Sequence, residues 1–178
     1  MAADTADQLL DAASRVLLTR GAEQLTLAAV AAEAGVSKGG LFYHFATKAA
    51  LVEGMVRRLI GQFDAALAQV GDEPGAATRA YLRNTVGPEP GADPGTDPGT
   101  AAVLAALVVD PDALIPLRSA YQRWQQRLDH DGIDPATASA VRLAADGWWL
   151  ARLLDLAPPD GDLHERTWAL LSTLIEEH

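Results

Sequence analysis

Few side chains in this sequence are placed to do covalent chemistry. The four histidines, His44, His130, His164 and His178, are scattered without His-x-x-x-His spacing, and no Gly-x-x-x-x-Gly-Lys loop is present to cradle phosphates. Asp129, His130 and Asp131 are adjacent, but they fall in a turn-rich stretch whose expected place is a solvated corner. The absence of cysteine removes thiolate metal sites, cysteine nucleophiles and disulfides, and it suits a reducing cytoplasm. We therefore expect no catalysis, no metal and no cofactor. One constellation has a different character: Ser37, Lys38, Gly39, Gly40, Tyr43 and His44 lie within eight residues, with Thr26 and Lys48 on either side. An ammonium, a phenolic hydroxyl and a neutral imidazole N–H are donors suited to phosphate oxygens and base edges, which is nucleic-acid chemistry.

Those donors act together only if short helices hold them. Ser37 can cap a helix over 38–44, Thr26 can cap one over 27–34, and Gly35 can end the latter in a left-handed C-cap. Before them, Leu9, Leu10, Ala13, Val16 and Leu17 recur at helical spacing over 4–20, with Thr5 and Gln8 at capping-box distance. The result is a helix-turn-helix by length and turn chemistry. Gly39 and Gly40 should each cost the second helix about 1 kcal/mol relative to alanine. The reading that explains them is close approach of the helix backbone to the floor of a DNA major groove. Ser37, Lys38 and Gly39 then lie at the helix start, where free N–H groups favour acceptors. Leu41, Phe42 and Phe45 are assigned to the core beneath.

Composition bounds the rest. With 178 residues and 49% hydrophobic content, the chain can fill one large domain or two small ones. Its net charge of −10 is unfavourable for a nucleic-acid partner taken as a whole. The distribution changes that inference, because residues 1–60 hold six cations against six carboxylates and the remaining 118 hold eight against eighteen. A neutral head on an acidic body fits a molecule that meets DNA at one end. No window offers the ~18 apolar residues of a membrane span, and the N-terminus lacks a basic signal-peptide region, so a cytoplasmic protein is expected.

Further along, Thr47 can cap a helix over 48–70, and helical patterning resumes over 76–86, 100–109, 113–129, 136–156 and 163–177. The Pro/Gly/Asp-rich stretch 87–100 reads as a surface loop. No alternating strand is evident, so the class is all-α, with about nine helices: a three-helix head and a helical bundle. Val141, Ala144, Ala145, Trp148, Ala151 and Leu154, and likewise Leu170, Leu171, Leu174 and Ile175, form apolar faces too large for a monomer to leave wet, and the last two helices are expected to self-associate.

The run LTLAAVAAEAGVSKGGLFYHFATKAAL closely resembles the DNA-binding signature of the tetracycline-repressor (TetR) family, over roughly residues 5–60. That resemblance implies a DNA-binding head over 1–47 and a ligand-binding and dimerisation domain over 48–178. It implies a homodimer on a pseudo-palindromic operator, its recognition helices in successive major grooves about 34 Å apart, released by a small-molecule effector. By the same analogy Thr26, Ser37, Lys38, Gly39, Gly40, Tyr43, His44 and Lys48 are the DNA-contacting set. Phe63, Tyr81, Asn84, Tyr121 and Trp124 are the effector candidates, with Arg123 able to serve an anionic ligand only if it turns inward. The chain departs from its relatives in carrying Asp4 and Asp7 where basic residues are common.

Overall fold

The computed structural model describes residues 5–87 and 98–177, and no strand occurs among them. Nine α-helices follow in order: α1 (Thr5–Arg20), α2 (Leu27–Ala34), α3 (Lys38–His44), α4 (Lys48–Ala68), α5 (Ala76–Val86), α6 (Pro98–Val109), α7 (Leu114–Asp129), α8 (Pro135–Leu153) and α9 (Gly161–Glu176). Two compact units result, one from the described residues of Met1–Ile60 and Gly95–Arg118, the other from those of Gly61–Pro94 and Ser119–His178. Helices α4 and α7 each contribute to both.

In the first unit, α1 packs against α2, α3 and α6. Leu9, Val16, Leu25, Val30, Leu41, Leu51, Val52 and Met55 close its core. The caps form as their chemistry dictates. Thr26 Oγ1 accepts from the Ala29 N–H and Ser37 Oγ from the Gly40 N–H, both at 3.1 Å, while Gly35 takes φ 68° and lets the Val36 N–H return to the Ala31 carbonyl. Thr47 Oγ1 caps α4 by accepting from the Ala50 N–H. Thr5 is already helical, so its spacing to Gln8 does not make it the cap of α1. Gly54 has a packing role that the pattern did not announce: a Cβ there would lie 2.7 Å from Phe45 Cε1 and 3.3 Å from Leu10 Cδ2.

In the second unit, α5 packs on α8 and α9, and α8 on α9. Gly75, at φ 76°, begins α5 so close to Ile175 of α9 that a side chain would collide with it. Asp131 corrects an expectation. It is buried, not solvated: its carboxylate accepts from the Ala77 N–H at 3.0 Å, the Thr78 N–H at 2.7 Å and the Thr78 hydroxyl at 2.8 Å. It thereby satisfies the open amides at the start of α5 from 53 residues away. Residues 98–100 are helical where a loop was expected, since Pro98 suits a first helical turn. Residues 88–97 of that stretch lie outside the described residues.

Candidate nucleic-acid interface and aromatic cluster

Helix α3 divides cleanly into two faces. Lys38, Gly39, Phe42 and Tyr43 are exposed, Tyr43 to 86%, whereas Leu41 and Phe45 are buried and Gly40 and His44 are partly covered. At about 100° per residue these are opposite halves of the helix. The placement corrects one assignment: Phe42 belongs to the outer face and not to the core, because Leu41 and Phe45 already fill the space beneath. Added Cβ atoms at Gly39 and Gly40 would meet only Ser37 Oγ, at 3.9 and 3.4 Å. Packing among the described residues therefore gives no reason for either glycine.

The head's neutrality has a structural form. Arg15 Nε and Arg20 Nη2 both pair with Glu33, at 3.1 and 2.7 Å, tying α1 to α2. Arg58 pairs with Asp11 at 2.7 Å and Arg57 with Glu53. Lys48 Nζ donates to the Ala22 carbonyl at 3.5 Å, at the outer limit of a hydrogen bond. Lys38 is thus the head's exposed cation without an ion-pair partner among the described residues. Gly35 to Gly39 also has Gly-x-Ser-x-Gly spacing. It is no nucleophile elbow, since Ser37 follows a helix where that motif needs a strand, and its Oγ serves as a cap. Among the described residues no group of three or more His, Asp or Glu side chains could hold a metal ion.

The second unit gathers four of the five effector candidates. The rings of Phe63 and Trp124 stack with centroids 4.8 Å apart, Tyr81 lies 5.6 Å from Phe63, and Tyr121 lies 5.1 Å from Trp124. Asn84 is exposed, one turn along α5 from Tyr81, and takes no part in these stacks. Arg123 is directed to Asp64 at 3.2 Å, beside the Trp124 Nε1–H donating to the same carboxylate at 2.7 Å. That pairing occupies the guanidinium that an inward turn would have offered to an anion.

Sequence reading missed the polar centre of this cluster. Asp146 Oδ1 accepts from the Tyr81 hydroxyl at 2.7 Å and the Tyr121 hydroxyl at 3.4 Å, and Oδ2 from Arg142 at 2.8 Å. Burial pushes the Asp146 carboxyl above its ordinary range, opposed by the two hydroxyls and Arg142. Burial, with Asp146 adding, holds both tyrosines in the neutral, hydrogen-donating form. Asp146 stands four residues after Arg142 on α8, the one signal that could have marked the pair.

The interface candidates sort by depth. Val141, Ala145, Trp148 and Leu171 are buried in the chain's own core. Ala144 is exposed, while Ala151 and Leu174 are half-covered. Of the expected faces Leu154 and Leu170 are exposed, and Leu143 and Leu150 on α8 and Leu163 on α9 are exposed beside them. The expected faces therefore divide between the chain's own core and a water-facing stripe. Between α8 and α9 the Trp148 and His164 rings meet edge to face at 4.8 Å. Trp148 Nε1 and His164 Nε2 have no hydrogen-bond partner among the described residues.

A helix-turn-helix head with an open-faced recognition helix, followed by a helical bundle, is the architecture of a class of bacterial DNA-binding regulators. Residues 9–55 match the family model of bacterial regulatory proteins of the tetR family. Residues 75–176, more than half the chain, match the tetracyclin repressor-like C-terminal domain. The chain belongs to the TetR family. It is similar to the multidrug binding protein EbrR in its ethidium complex, with 30% identity over 97% of this chain and 99% of that one, at a TM-score of 0.65. A Rhodococcus transcriptional regulator shares the fold at TM-score 0.73 and 21% identity, over 98% and 97% of the two chains. TtgR, a transcriptional regulator of Pseudomonas putida, is 40% identical over 58 residues, 33% of this chain and 28% of TtgR. BepR, a transcriptional repressor of Brucella suis, is 39% identical over 57 residues, 32% of this chain and 27% of BepR. The matched segment thus spans under a third of these curated relatives. No helix among the described residues is long and apolar enough to cross a membrane.

Proposed function

We propose that the chain is a cytoplasmic, homodimeric transcriptional repressor without catalytic activity, holding a pseudo-palindromic operator through its heads and releasing it when a small molecule binds the body. Residues 1–47 form the DNA-binding part and 48–178 the effector and dimer part. The observation that carries this reading is the outer face of α3, where Lys38 and Tyr43 flank glycines at which an added side chain would meet only Ser37 Oγ among the described residues. Thr26, Ser37 and Lys48 sit at the starts of α2, α3 and α4, where they position the head on phosphates. His44, on the inner half of α3, is a secondary contact. The stripe of Leu143, Ala144, Leu150, Ala151 and Leu154 with Leu163, Leu170 and Leu174 forms the dimer interface.

The rings of Phe63, Tyr81, Tyr121 and Trp124 suit a flat aromatic effector, the kind of ligand EbrR carries in its ethidium complex. Phe63 lies on α4, the same continuous helix that starts beside the recognition helix, so ring displacement there can be transmitted to the head. An electrophoretic mobility shift with the intergenic DNA beside the chain's own gene tests the reading. The wild-type chain should retard the duplex, and a Tyr43→Ala plus Lys48→Ala variant should not. Absence of a wild-type shift, or an unchanged shift in the variant, overturns it.

A further inference from the structure

Two consecutive residues of α4 hold one ring of α7. Phe63 stacks on the Trp124 indole, with centroids 4.8 Å apart and planes inclined by 28°, and Asp64 Oδ1 accepts from the Trp124 Nε1–H at 2.7 Å. The indole is 3% exposed and its N–H is a donor only, so burial leaves it in need of an acceptor. Asp64 is that acceptor although its own side chain is 45% exposed, and its other oxygen takes Arg123 Nη2 at 3.2 Å. A carboxylate with access to water is thus turned onto two adjacent residues of α7.

The stack is closed. At 4.8 Å the two rings already touch, and a flat ring seated between them needs faces roughly 7 Å apart, two contact distances of about 3.5 Å. An effector entering there moves Phe63 away from Trp124. While the Asp64 bond holds, Trp124 stays tied to the residue that follows Phe63, and the opening is passed to the α4 backbone. Without that bond the indole is free to swing aside alone.

We propose that Asp64 is a positioning residue, which through its bond to Trp124 converts opening of the aromatic stack into displacement of α4. This rests on the effector reading above, and it assigns to Asp64 the size of the response and not the affinity for the effector. A ligand drives release only by its differential affinity for two states, and the Asp64 bond makes a state of the rings into a state of α4.

The test uses the full-length chain, ethidium as the probe, and an operator duplex enriched by the wild-type chain from a random-sequence library. Fluorescence titration of the DNA-free chain gives ethidium affinity, and operator affinity with and without saturating ethidium gives the response. Uptake of the dye by the duplex is common to every chain, so responses are compared between chains. Asp64→Ala should bind ethidium within about twofold of wild type, yet the dye should lower its operator affinity at least about fivefold less than it lowers the wild type's, the low end of typical coupling. Asp64→Asn keeps an acceptor for the indole N–H and should restore the wild-type response, although it gives up the ion pair with Arg123. Failure of the wild-type chain to bind ethidium, or to enrich a duplex, overturns this inference together with the reading it rests on. Once both are observed, equal responses in wild type and Asp64→Ala overturn the role of Asp64 alone. So does a response lost equally in Asp64→Asn, or a fall in the ethidium affinity of Asp64→Ala that matches its loss of response.

Discussion

The head and the second unit organise polar groups in opposite ways. In the head, the polar contacts around α2 and α3 are mostly local: Ser37 and Thr26 cap their own helices three residues on, Glu33 joins Arg20 and Arg15 across 13 and 18 residues, and the pair of Arg58 with Asp11, across 47, is the long one. In the second unit they span the chain. Tyr81 reaches Asp146 across 65 residues, Trp124 reaches Asp64 across 60, and Thr78 reaches Asp131 across 53. The difference teaches where each surface comes from. The head consumes its arginines in ion pairs and leaves a small outward face of α3. The second unit draws distant carboxylates inward, so that its chemistry exists only once α5, α7 and α8 have packed.

The sharpest way to break that contrast is to remove a long-range carboxylate. Asp131→Ala leaves the Ala77 and Thr78 amides and the Thr78 hydroxyl unsatisfied in a buried site, and should lower unfolding free energy by about 2–4 kcal/mol. Urea denaturation followed by circular dichroism measures it. Thr78→Val removes only the hydroxyl and should cost about 1 kcal/mol. Equal losses in the two variants would mean that the carboxylate does not hold the start of α5.

The same contrast explains what could be read in advance. The caps at Thr26, Ser37 and Thr47, the left-handed Gly35 and the two short helices were legible because each depends on residues three or four apart. The aromatic set Phe63, Tyr81, Tyr121 and Trp124 came from resemblance, and its polar centre at Asp146 went unseen because nothing near residue 146 announces tyrosines 25 and 65 positions away. Nor does anything near Asp131 announce the amides of Ala77 and Thr78, 54 and 53 positions away. The apolar set expected on α8 and α9 mixes buried positions such as Val141 and Leu171 with exposed ones such as Leu154 and Leu170. An apolar helix buries one side against α5 and leaves another bare, and periodicity alone does not say which is which. The spacing of three between Phe42 and Phe45 suggests one shared inner face, yet Phe45 is buried and Phe42 is exposed.

A smaller effect sharpens the head's side of the comparison. Arg15, Arg20, Arg57 and Arg58 are engaged by carboxylates, so the head has few cations to exchange for counterions and its DNA affinity should depend only shallowly on salt. Lys38→Ala should flatten the plot of log affinity against log salt by about 0.9 for each head bound. Fluorescence anisotropy with labelled operator between low and physiological salt gives the slope. An unchanged slope would assign Lys38 to a base edge or to solvent and not to a phosphate.

The smallest effect concerns a titration that the head does not share. His164 is buried against Trp148, and desolvation, with Arg152 adding and Glu165 opposing, lowers its pKa below the ordinary 6.5. The unfolded chain therefore binds this proton more readily than the folded one. The contribution to stability is fully present above about pH 6.5 and is lost progressively as pH falls through 6.5 towards the lower folded value. Urea midpoints measured from pH 8 to pH 5 should decline on the acid side, and His164→Leu should flatten that decline while leaving the profile above pH 7 parallel to wild type. If acid also opens the dimer proposed for α8 and α9, the decline should steepen and should then depend on chain concentration. A concentration-independent decline would confine the effect to the packing of α8 on α9 within one chain.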